Sequence, residues 1–335
     1  MATVINGAGA EAPVGLWARL KYDRNWLGFW FMMPVAAFLL VFLTYPLGLG
    51  IWLSFTDARI GREGVFIGLD NFEWLFEDPV FWGVFGFFES WSWGALWESW
   101  RWGAVEFTFV YTIVASVFKF ALGFYLAILL NHNMPFKAFI RAIVLLPFIV
   151  PTVLSAIAFW WIYDTQFSII SWSLEELGLL DQYIDFLGDR NWARGSVIAT
   201  NIWRGVPFVA ITLLAGLQTV PGTLYEAATI DGASRWQMFR YVTYPMLTPI
   251  IAVVMTFSVL FTFTDFQLIY AMTKGGPANA THLMATLSYQ RAILGGSLGE
   301  GAAISTAMIP FLLAAIMFSW FGLQNRKWQQ GEAND

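Results

Sequence analysis

The chain has 335 residues, of which 58% are hydrophobic and only 12% are charged, and its formal net charge is −5. A soluble domain normally carries about twice that charged fraction, so the composition excludes an ordinary soluble protein. The net negative charge does not suggest a nucleic-acid partner. The sequence contains no cysteine, which excludes disulfides and thiolate chemistry.

Six apolar stretches are long enough to cross a bilayer, which needs roughly 20 residues of helix. They cover residues 28–54, 104–130, 138–162, 195–217, 246–270 and 302–323. Because spanning backbone must satisfy its own hydrogen bonds, the sequence predicts an all-α membrane protein with six transmembrane helices. Residues 28–323 then form one membrane domain, with tails at 1–27 and 324–335. Gly123, Gly205 and Gly216 are expected to be positions of close helix contact.

The distribution of lysine and arginine orients these spans, because cytoplasmic loops carry an excess of basic residues. With the N-terminus inside, the two tails, the turn at 131–141 and the loop at 218–244 hold more bases than acids, whereas the outer loops hold more acids. Both termini are therefore expected to be cytoplasmic. No cleavable signal is expected, since no small-residue cleavage site follows a short apolar core. His132 and His282 then lie on opposite sides of the membrane, which disfavours a zinc site.

The first outer loop, residues 55–103, is unusually rich in tryptophan. Its tryptophans include Trp82, Trp91, Trp93, Trp97, Trp100 and Trp102. Trp93, Trp97 and Trp100 recur at helical spacing, and indole rings favour the membrane interface, so an interfacial helix on the outer leaflet is expected. A carbohydrate-stacking surface is the alternative.

Three predicted spans carry polar side chains along one face. Lys119 belongs to the second span, Asn201 and Arg204 to the fourth, and Thr262 and Asp265 to the fifth. A charged residue inside a span costs roughly 2.5 to 3.5 kcal/mol on insertion scales, so each needs a reason. Such faces suit helices that line a water-filled path. Alternatively, Lys119 or Arg204 pairs with Asp265 and holds helices together.

The inner loop at 218–244 contains a charged stretch, EAATIDGASRWQMFRYVTYP, which begins at residue 226. Thr223 is expected to cap a short helix, and Glu226 completes a capping box three residues later. The two alanines that follow Glu226 leave a slim helix face that permits close approach.

The second half of this stretch predicts a bend and another helix. Asp231 and Gly232 are expected to break the first helix, and a second short helix is expected to follow from Ala233. Pro245 and Pro249 open the fifth span. Two interpretations remain: a solvated loop, or a surface that docks into a groove on another protein.

The spacing of Glu226, Ala227, Ala228, Gly232 and Pro245 resembles the "EAA" loop of the permease subunits of bacterial binding-protein-dependent ABC importers. Other stretches resemble the carbohydrate-uptake branch, which is similar to maltose and glycerol-phosphate permeases. These stretches cover residues 66–82, 140–164, 201–208, 214–233 and 268–281. Three features depart from the pattern: Tyr244 replaces leucine, Gln267 stands where aspartate is common, and residues 86–103 resemble an insertion.

The resemblance implies a multi-pass permease subunit of an ATP-driven sugar importer in the bacterial inner membrane. Such a subunit is not an enzyme, forms half of the translocation path, and pairs with a second permease, two cytoplasmic ATP-binding subunits and an extracytoplasmic solute-binding protein. ATP and magnesium are used by the ATPases, and this chain is expected to bind no cofactor. In agreement, no lysine follows a glycine, as a phosphate-binding G-x-x-x-x-G-K-[ST] loop requires.

The resemblance also assigns roles to particular residues. Those expected to couple the permease to its ATPases are Glu226, Ala227, Ala228, Asp231, Gly232, Ala233 and Pro245. The polar faces of the spans and the chemistry of sugar binding, rather than the resemblance, indicate the residues expected along the substrate path: Lys119, Trp160, Asn201, Trp203, Arg204, Thr262 and Asp265. Trp160, Trp161 and Trp203 are candidates for stacking on sugar rings. Arg204 is expected to be structural, because a base commonly follows Trp203 in the family.

Other functions remain alternatives. The same machinery could import a polyol or glycerol phosphate, and the sequence does not name the solute. A secondary transporter would take up solute independently of ATP. A membrane-embedded enzyme is disfavoured, since the spans contain no nucleophile–base pair or metal-ligand set.

Overall fold

A computed structural model describes residues 24–83, 103–132 and 135–329. Regular secondary structure in these ranges is helical, apart from two isolated β-bridges in the segment between residues 56 and 66. The chain divides into two compact units, Met1–Leu53 and Ser54–Asp335. The predicted tryptophan helix around residues 93–100 lies outside the described residues.

The first unit contains one long helical span. Helix α1 covers Arg24–Leu39, a π-helical turn covers Leu40–Thr44, and α2 covers Tyr45–Leu53. Together Trp26–Leu53 form a continuous apolar segment of 28 residues, which is long enough to cross a bilayer. The predicted first span is therefore confirmed to within two residues at its start.

The second unit contains twelve further α-helices among its described residues. In chain order they are α3 (Asp70–Glu77), α4 (Ala104–Asn131), α5 (Lys137–Ile149), α6 (Thr152–Ile162), α7 (Ile169–Glu176), α8 (Arg190–Thr219), α9 (Gly222–Ile230), α10 (Arg235–Met238), α11 (Tyr244–Phe263), α12 (Gln267–Met272), α13 (Met284–Tyr289) and α14 (Leu298–Gln329). Two π-helical turns, Phe239–Thr243 and Gln290–Leu294, follow α10 and α13.

The second, fourth and sixth predicted spans correspond to single long helices. Ala104–Asn131, Arg190–Thr219 and Leu298–Phe321 are each apolar and long enough to cross a membrane. The fourth begins sooner than expected because Asp189 caps it, with its carboxylate accepting the N–H groups of Asn191 and Trp192 at 2.9 and 3.0 Å.

The third predicted span is not a single helix. Helices α5 and α6 meet at an angle of 90°, with the break at Val150 and Pro151. Val150 adopts extended backbone angles, as a residue before proline prefers, and Pro151 has no N–H with which to continue the helix. The third predicted span, residues 138–162, is therefore a bent pair of helices, which is either one broken span or a re-entrant loop.

The fifth span is displaced from its predicted position. A continuous apolar helix covers Arg235–Phe263, so it begins well before residue 246 and ends before Asp265. Helix α10 and the following π-helical turn lead directly into α11, and α12 is a separate short helix. The second short helix expected after Ala233 is thus the start of the fifth span.

Close contacts between α4, α8 and α11 hold the spanning helices together. A Cβ atom added to Gly123 of α4 would lie 2.8 Å from Val209 of α8, and one on Gly216 of α8 would lie 2.9 Å from Leu247 of α11. These two glycines are helix-contact positions, as predicted. An apolar cluster that includes Ala127, Leu130, Val209, Leu213, Leu217, Leu247 and Val254 fills one end of this packing.

A second apolar cluster closes the other end of the α4–α8 contact. It includes Phe107, Tyr111, Ala156, Tyr163, Phe186, Val197, Leu268, Ile269, Met272 and Leu283. Between the two clusters the same helices present polar side chains. This position, between two apolar layers, defines the candidate site.

Candidate functional site

The polar stripe predicted on α4 is buried against its neighbours. Thr108, Thr112, Ser116 and Lys119 are each at most 4% exposed. These residues recur at intervals of three and four, so they share one face of the helix. The face packs mainly on α8 and α11, where it meets further polar residues.

Lys119 is tied to both of these helices. Its Nζ donates to Oδ1 of Asn201 on α8 at 2.9 Å and to Oγ1 of Thr262 on α11 at 2.6 Å. The Thr262 hydroxyl in turn donates to the carbonyl of Ser258 at 2.5 Å. A buried ammonium needs such acceptors, because a charge left unsolvated at this depth is costly.

Gly205 leaves the space through which the lysine reaches these acceptors. A Cβ atom at position 205 would overlap Cδ of Lys119. Gly205 was predicted only as a position of close helix contact. The structure shows that it also makes room for the side chain of Lys119.

Asp265 lies at the break between α11 and α12, where its carboxylate accepts three hydrogen bonds. Tyr111 OH and Asn201 Nδ2 both donate to Oδ2 at 2.8 Å. The backbone N–H of Leu268 donates to Oδ1 at 3.3 Å. The carboxylate thus links α4, α8 and the first turn of α12.

Lys119 and Asp265 are joined through Asn201 and form no direct ion pair. The ion pairs recorded among the described residues are Arg62–Asp57 and Arg291–Asp78. The interpretation that Lys119 or Arg204 pairs directly with Asp265 was therefore wrong for this conformation. The Asn201 amide satisfies both charges, since its oxygen accepts from the ammonium and its nitrogen donates to the carboxylate.

Tyr111 is a member of this network that sequence reasoning missed. It is fully buried and lies eight residues before Lys119, close to the polar face of α4. Two helical turns cover about seven residues, so the spacing from Lys119 could have predicted that Tyr111 lies near the polar face.

A cleft of about 520 Å³ opens beside the network. Five predicted path residues line it: Lys119, Asn201, Arg204, Thr262 and Asp265. Aromatic side chains complete the wall, namely Phe148, Phe208, Phe261 and Phe266. The cleft thus combines hydrogen-bonding groups with apolar ring faces.

Arg204 differs from the other charged groups of the cleft. Its Nε atom is buried and has no hydrogen-bond partner, and the guanidinium forms no ion pair within the described part of the chain. The Nε atom of Arg204 thus lacks the hydrogen bonds that Lys119 and Asp265 both have.

None of the three tryptophans predicted to stack on substrate, Trp160, Trp161 and Trp203, lines this cleft. Trp203 lines a separate, almost wholly apolar groove with Phe118 and Leu122. Trp160 is 44% exposed, and its ring packs edge-on against Trp161. The structure brings none of the three rings to the polar network.

The predicted helix–bend–helix is present after α8. Helix α9 covers Gly222–Ile230, and Gly232 adopts a φ of +76°, a left-handed conformation that favours glycine. The capping prediction was wrong: Pro221 is the N-cap residue, and no side chain caps this helix. Proline at this position removes one backbone N–H that the start of a helix would otherwise leave without an intrahelical partner.

A capping box does occur, at the second helix. Ser234 accepts the N–H of Gln237 at 3.3 Å, and the Gln237 side chain accepts the N–H of Ser234 at 2.7 Å. The two helices are further joined by a hydrogen bond of 2.9 Å between the hydroxyls of Tyr225 and Thr243. The segment from Gly222 to Thr243, here called the elbow, is therefore an ordered structure.

The elbow exposes large apolar side chains. Ile230, Trp236 and Tyr241 are 87%, 69% and 76% exposed, respectively. Glu226 and Ala227 are also exposed on α9. Exposed apolar residues beside charged ones are typical of a surface that contacts another protein.

Metal binding finds no support in the described ranges. They contain no cluster of three or more histidine, cysteine, aspartate or glutamate side chains that could hold an ion. His282 is 3% exposed, and its Nδ1 is 3.1 Å from the Thr286 hydroxyl.

Known proteins match this architecture. Residues 119–330 match the family model described as "Binding-protein-dependent transport system inner membrane component". The trehalose/maltose transport system permease protein MalF of Thermococcus litoralis is 31% identical over 300 residues, which cover 89% of this chain and 94% of that protein. The sulfoquinovosyl glycerol transport system permease protein SmoG of Agrobacterium fabrum is 30% identical over 301 residues, covering 89% and 91%.

A solved structure shows the same fold. A chain from the crystal structure of a bacterial ABC transporter involved in the import of the acidic polysaccharide alginate superposes with a TM-score of 0.72. The two chains are 23% identical, and the superposition covers 96% of this chain and 99% of that one. The prediction of an all-α fold with six spans is thus confirmed in its coarse features, since the described residues form a helical fold with five or six candidate spans. On the match over residues 119–330 and the similarity of the relatives along their length, the chain belongs to the family of binding-protein-dependent transport system inner membrane components.

Proposed function

We propose that this chain is the transmembrane permease subunit of an ATP-driven sugar importer and forms one half of its translocation path. Relatives named for trehalose/maltose, sulfoquinovosyl glycerol and trehalose transport support a carbohydrate solute. The observation that carries the proposal is the cleft beside Lys119, Asn201 and Asp265, a polar site enclosed by apolar spanning helices.

The cleft has the chemistry that a sugar requires. Hydroxyl groups need donors and acceptors, which Asn201, Thr262 and Lys119 supply from three different spans. Phe208 and Phe266 offer ring faces against which the apolar C–H face of a sugar can pack. Because the polar groups belong to separate helices, a relative movement of the helices would make or release the site.

The elbow is the proposed connection to the motor. In this proposal Glu226, Ala227, Ala228, Asp231, Gly232, Ala233 and Pro245 form the part that a separate ATPase holds. The ordered structure of the elbow and its exposed Ile230 and Trp236 support docking into a groove on a partner. The chain itself is proposed to bind neither ATP nor magnesium.

The proposed assembly contains a second permease subunit, two ATP-binding subunits and an extracytoplasmic solute-binding protein. The inference of a binding protein agrees with the family description. A structural neighbour with a TM-score of 0.72 is an alginate transporter in complex with a periplasmic protein. Both termini and the elbow are proposed to face the cytoplasm, as the excess of basic residues predicts.

A cross-linking experiment tests the coupling. Since the chain has no cysteine, Leu224→Cys on α9 would be its single thiol. In membranes that contain the complete importer, we expect this variant to cross-link to an ATP-binding subunit. Glu63→Cys, in the loop after the first span, is the matched control and should give no such product. If Leu224→Cys never reacts with a nucleotide-hydrolysing protein, the proposed coupling is refuted.

Uptake measurements test the energy source. Proteoliposomes that contain the complete importer should accumulate labelled trehalose or maltose only with internal ATP. Uptake that continues after ATP depletion and follows an ion gradient would instead identify a secondary transporter.

A further inference from the structure

The chain folds back on itself between residues 55 and 69, a segment here called the hairpin. The backbone N–H of Asp57 donates to the carbonyl of Val65 at 3.1 Å, and that of Ile67 donates to the carbonyl of Phe55 at 2.9 Å. The Asp57 carboxylate also accepts the N–H of Val65 at 2.7 Å. These bonds pair the two arms, so the hairpin presents its side chains from a fixed backbone.

The hairpin is attached to the start of α14, the helix of the sixth span. The N–H of Gly299 donates to the carbonyl of Ala58 at 3.1 Å, and the N–H of Ile60 donates to the carbonyl of Gly296 at 2.9 Å. Gly299 precedes the apolar stretch at 302–323 by three residues, a rise of about 5 Å along a helix. The headgroup layer on each side of the hydrocarbon is roughly 5 to 8 Å thick. The hairpin therefore lies at the depth of the headgroups.

Large apolar side chains are exposed on this hairpin. Ile60, Val65, Phe66 and Leu69 are 56%, 70%, 60% and 59% exposed, respectively. The ring of Phe66 stacks on that of Phe55, with centroids 6.5 Å apart, which fixes its position. Such a group of apolar side chains in one short segment is typical of a contact surface, unlike the single exposed residues that are scattered over any protein.

The charges of the hairpin balance. They belong to Asp57, Arg59, Arg62 and Glu63, two acids and two bases, and Arg62 forms an ion pair with Asp57. The segment therefore offers no net charge with which to attract a charged protein surface. Its exposed apolar side chains remain to be covered, and lipid surrounds a spanning helix at this depth.

We propose that the hairpin is a lipid-interface anchor, whose apolar side chains insert at the boundary between headgroups and acyl chains. The apolar faces of interfacial segments are buried roughly 5–10 Å into this boundary. With the proposed orientation of the chain, the leaflet is the outer one. The anchor holds the start of α14 at a constant depth, and it is independent of the solute that the importer carries.

Depth-dependent quenching of a single fluorophore tests the anchor. Since the chain has no cysteine, Val65→Cys provides one thiol for an environment-sensitive label. The labelled chain is assembled with cysteine-free partner subunits in vesicles whose phospholipids carry bromine on the upper part of the acyl chains. We expect these lipids to quench the label about twofold, and aqueous iodide to leave it almost unquenched. ATP-dependent uptake should be retained, which separates a failure of the anchor from a failure of the proposed function.

Glu63→Cys, at the turn of the same hairpin, is the matched control. Because the charged turn stays in water, its label should be quenched by iodide and not by the brominated lipids. Ile60→Asp in the labelled Val65→Cys chain places a charge among the apolar side chains and should remove most of the lipid quenching. Unchanged quenching in this variant would show that apolar contact does not hold the hairpin in the interface, and would overturn the proposal.

Two other results would also overturn the anchor. A Val65 label that iodide quenches and brominated lipids do not would place the hairpin in water. A label that neither quencher reaches would show that a protein covers the hairpin. If this shielding requires the solute-binding protein, the hairpin is a docking surface for that protein, and if it does not, another subunit of the importer covers it.

Discussion

The side chain of Lys119 crosses α8 at Gly205, where any Cβ atom would overlap its Cδ. The absence of a side chain at position 205 is thus a condition for the hydrogen bonds of Lys119 to Asn201 and Thr262. A rule that small residues mark helix contacts does not capture this dependence.

Gly205→Ala should therefore impair the cleft. The added methyl group overpacks the contact, which costs about 1–3 kcal/mol. It also forces Lys119 into another rotamer, in which the lysine loses its hydrogen bonds to Asn201 and Thr262. We expect sugar-stimulated ATP hydrolysis to fall about tenfold in the reconstituted importer. Gly195→Ala, on the same helix, is the control, since a Cβ atom added there would meet no other atom within 4 Å. Equal activity of the two variants would contradict the packing argument.

Lys119 and Asp265 should behave as a coupled pair although they do not touch. Lys119→Met leaves the negative charge of Asp265 uncompensated, and Asp265→Asn leaves the positive charge of Lys119 uncompensated. Each single substitution should therefore destabilise the protein by about 3 kcal/mol. The double variant should lose clearly less than the sum of the two. Thermal unfolding in detergent measures the difference, and strict additivity would show that the Asn201 bridge carries no coupling.

Transport separates the two interpretations of Lys119. If Lys119 lines the path, Lys119→Met should change the affinity or the rate of uptake. The change should persist when a second substitution elsewhere restores the stability of the protein. Uptake with normal kinetics would leave only a packing role.

Gly232 should be the sensitive position of the elbow. Its φ of +76° costs an L-residue roughly 1–2 kcal/mol, so Gly232→Val should deform the bend and lower uptake. The combination of Glu226→Ala with Gly232→Pro should abolish uptake while the protein remains in the membrane. Gly222→Ala lies in open space with an ordinary backbone and should retain activity. Full uptake in the double variant would exclude a coupling role for the elbow.

His282 should make stability depend on pH. Burial, and secondly the positive charge of Arg291, lower the pKa of this histidine from 6.5 to about 4. The unfolded chain therefore binds a proton near pH 6.5 that the folded protein refuses until about pH 4, so stability falls as the pH drops through this interval. The loss approaches about 3 kcal/mol at the low end. Unfolding of the wild type and His282→Gln at pH 7.5 and pH 5 measures it; an identical pH dependence of the two would refute the assignment.

The two ion pairs of the described residues offer a matched comparison. Arg291 and Asp78 are 2.6 Å apart, and the acid is 5% exposed, whereas Arg62 and Asp57 are 57% and 38% exposed. Arg291 also lies over the ring of Trp74 at 4.9 Å. Arg291→Ala should cost about 3 kcal/mol and Arg62→Ala less than about 1 kcal/mol, since solvent screens the exposed pair. If thermal unfolding shows similar losses of stability for the two variants, burial does not determine how much an ion pair contributes.

Periodicity and charge predicted much of this arrangement. The polar face of α4 and the convergence of Lys119, Asn201, Thr262 and Asp265 follow from helical spacing within long apolar segments. The prediction that Trp203 lies in the same site as Arg204 could have been rejected from the sequence. Adjacent residues of a helix point about 100° apart, so the two side chains do not share a face. The break at Pro151 and the early start of the fifth span were harder to predict. Prolines both interrupt and begin helices, and neighbouring packing decides which occurs.

The unbroken helix Arg235–Phe263 places one end of the elbow and Thr262 of the cleft on the same 29-residue rod. At 1.5 Å per residue the rod is about 43 Å long, so a tilt of roughly 5° about one end displaces the other by about 4 Å. That distance exceeds the length of any hydrogen bond in the Lys119 network. A small swing at the elbow end of the rod is therefore enough to pull the threonine away from its ammonium partner, with no intermediate linkage to transmit the motion.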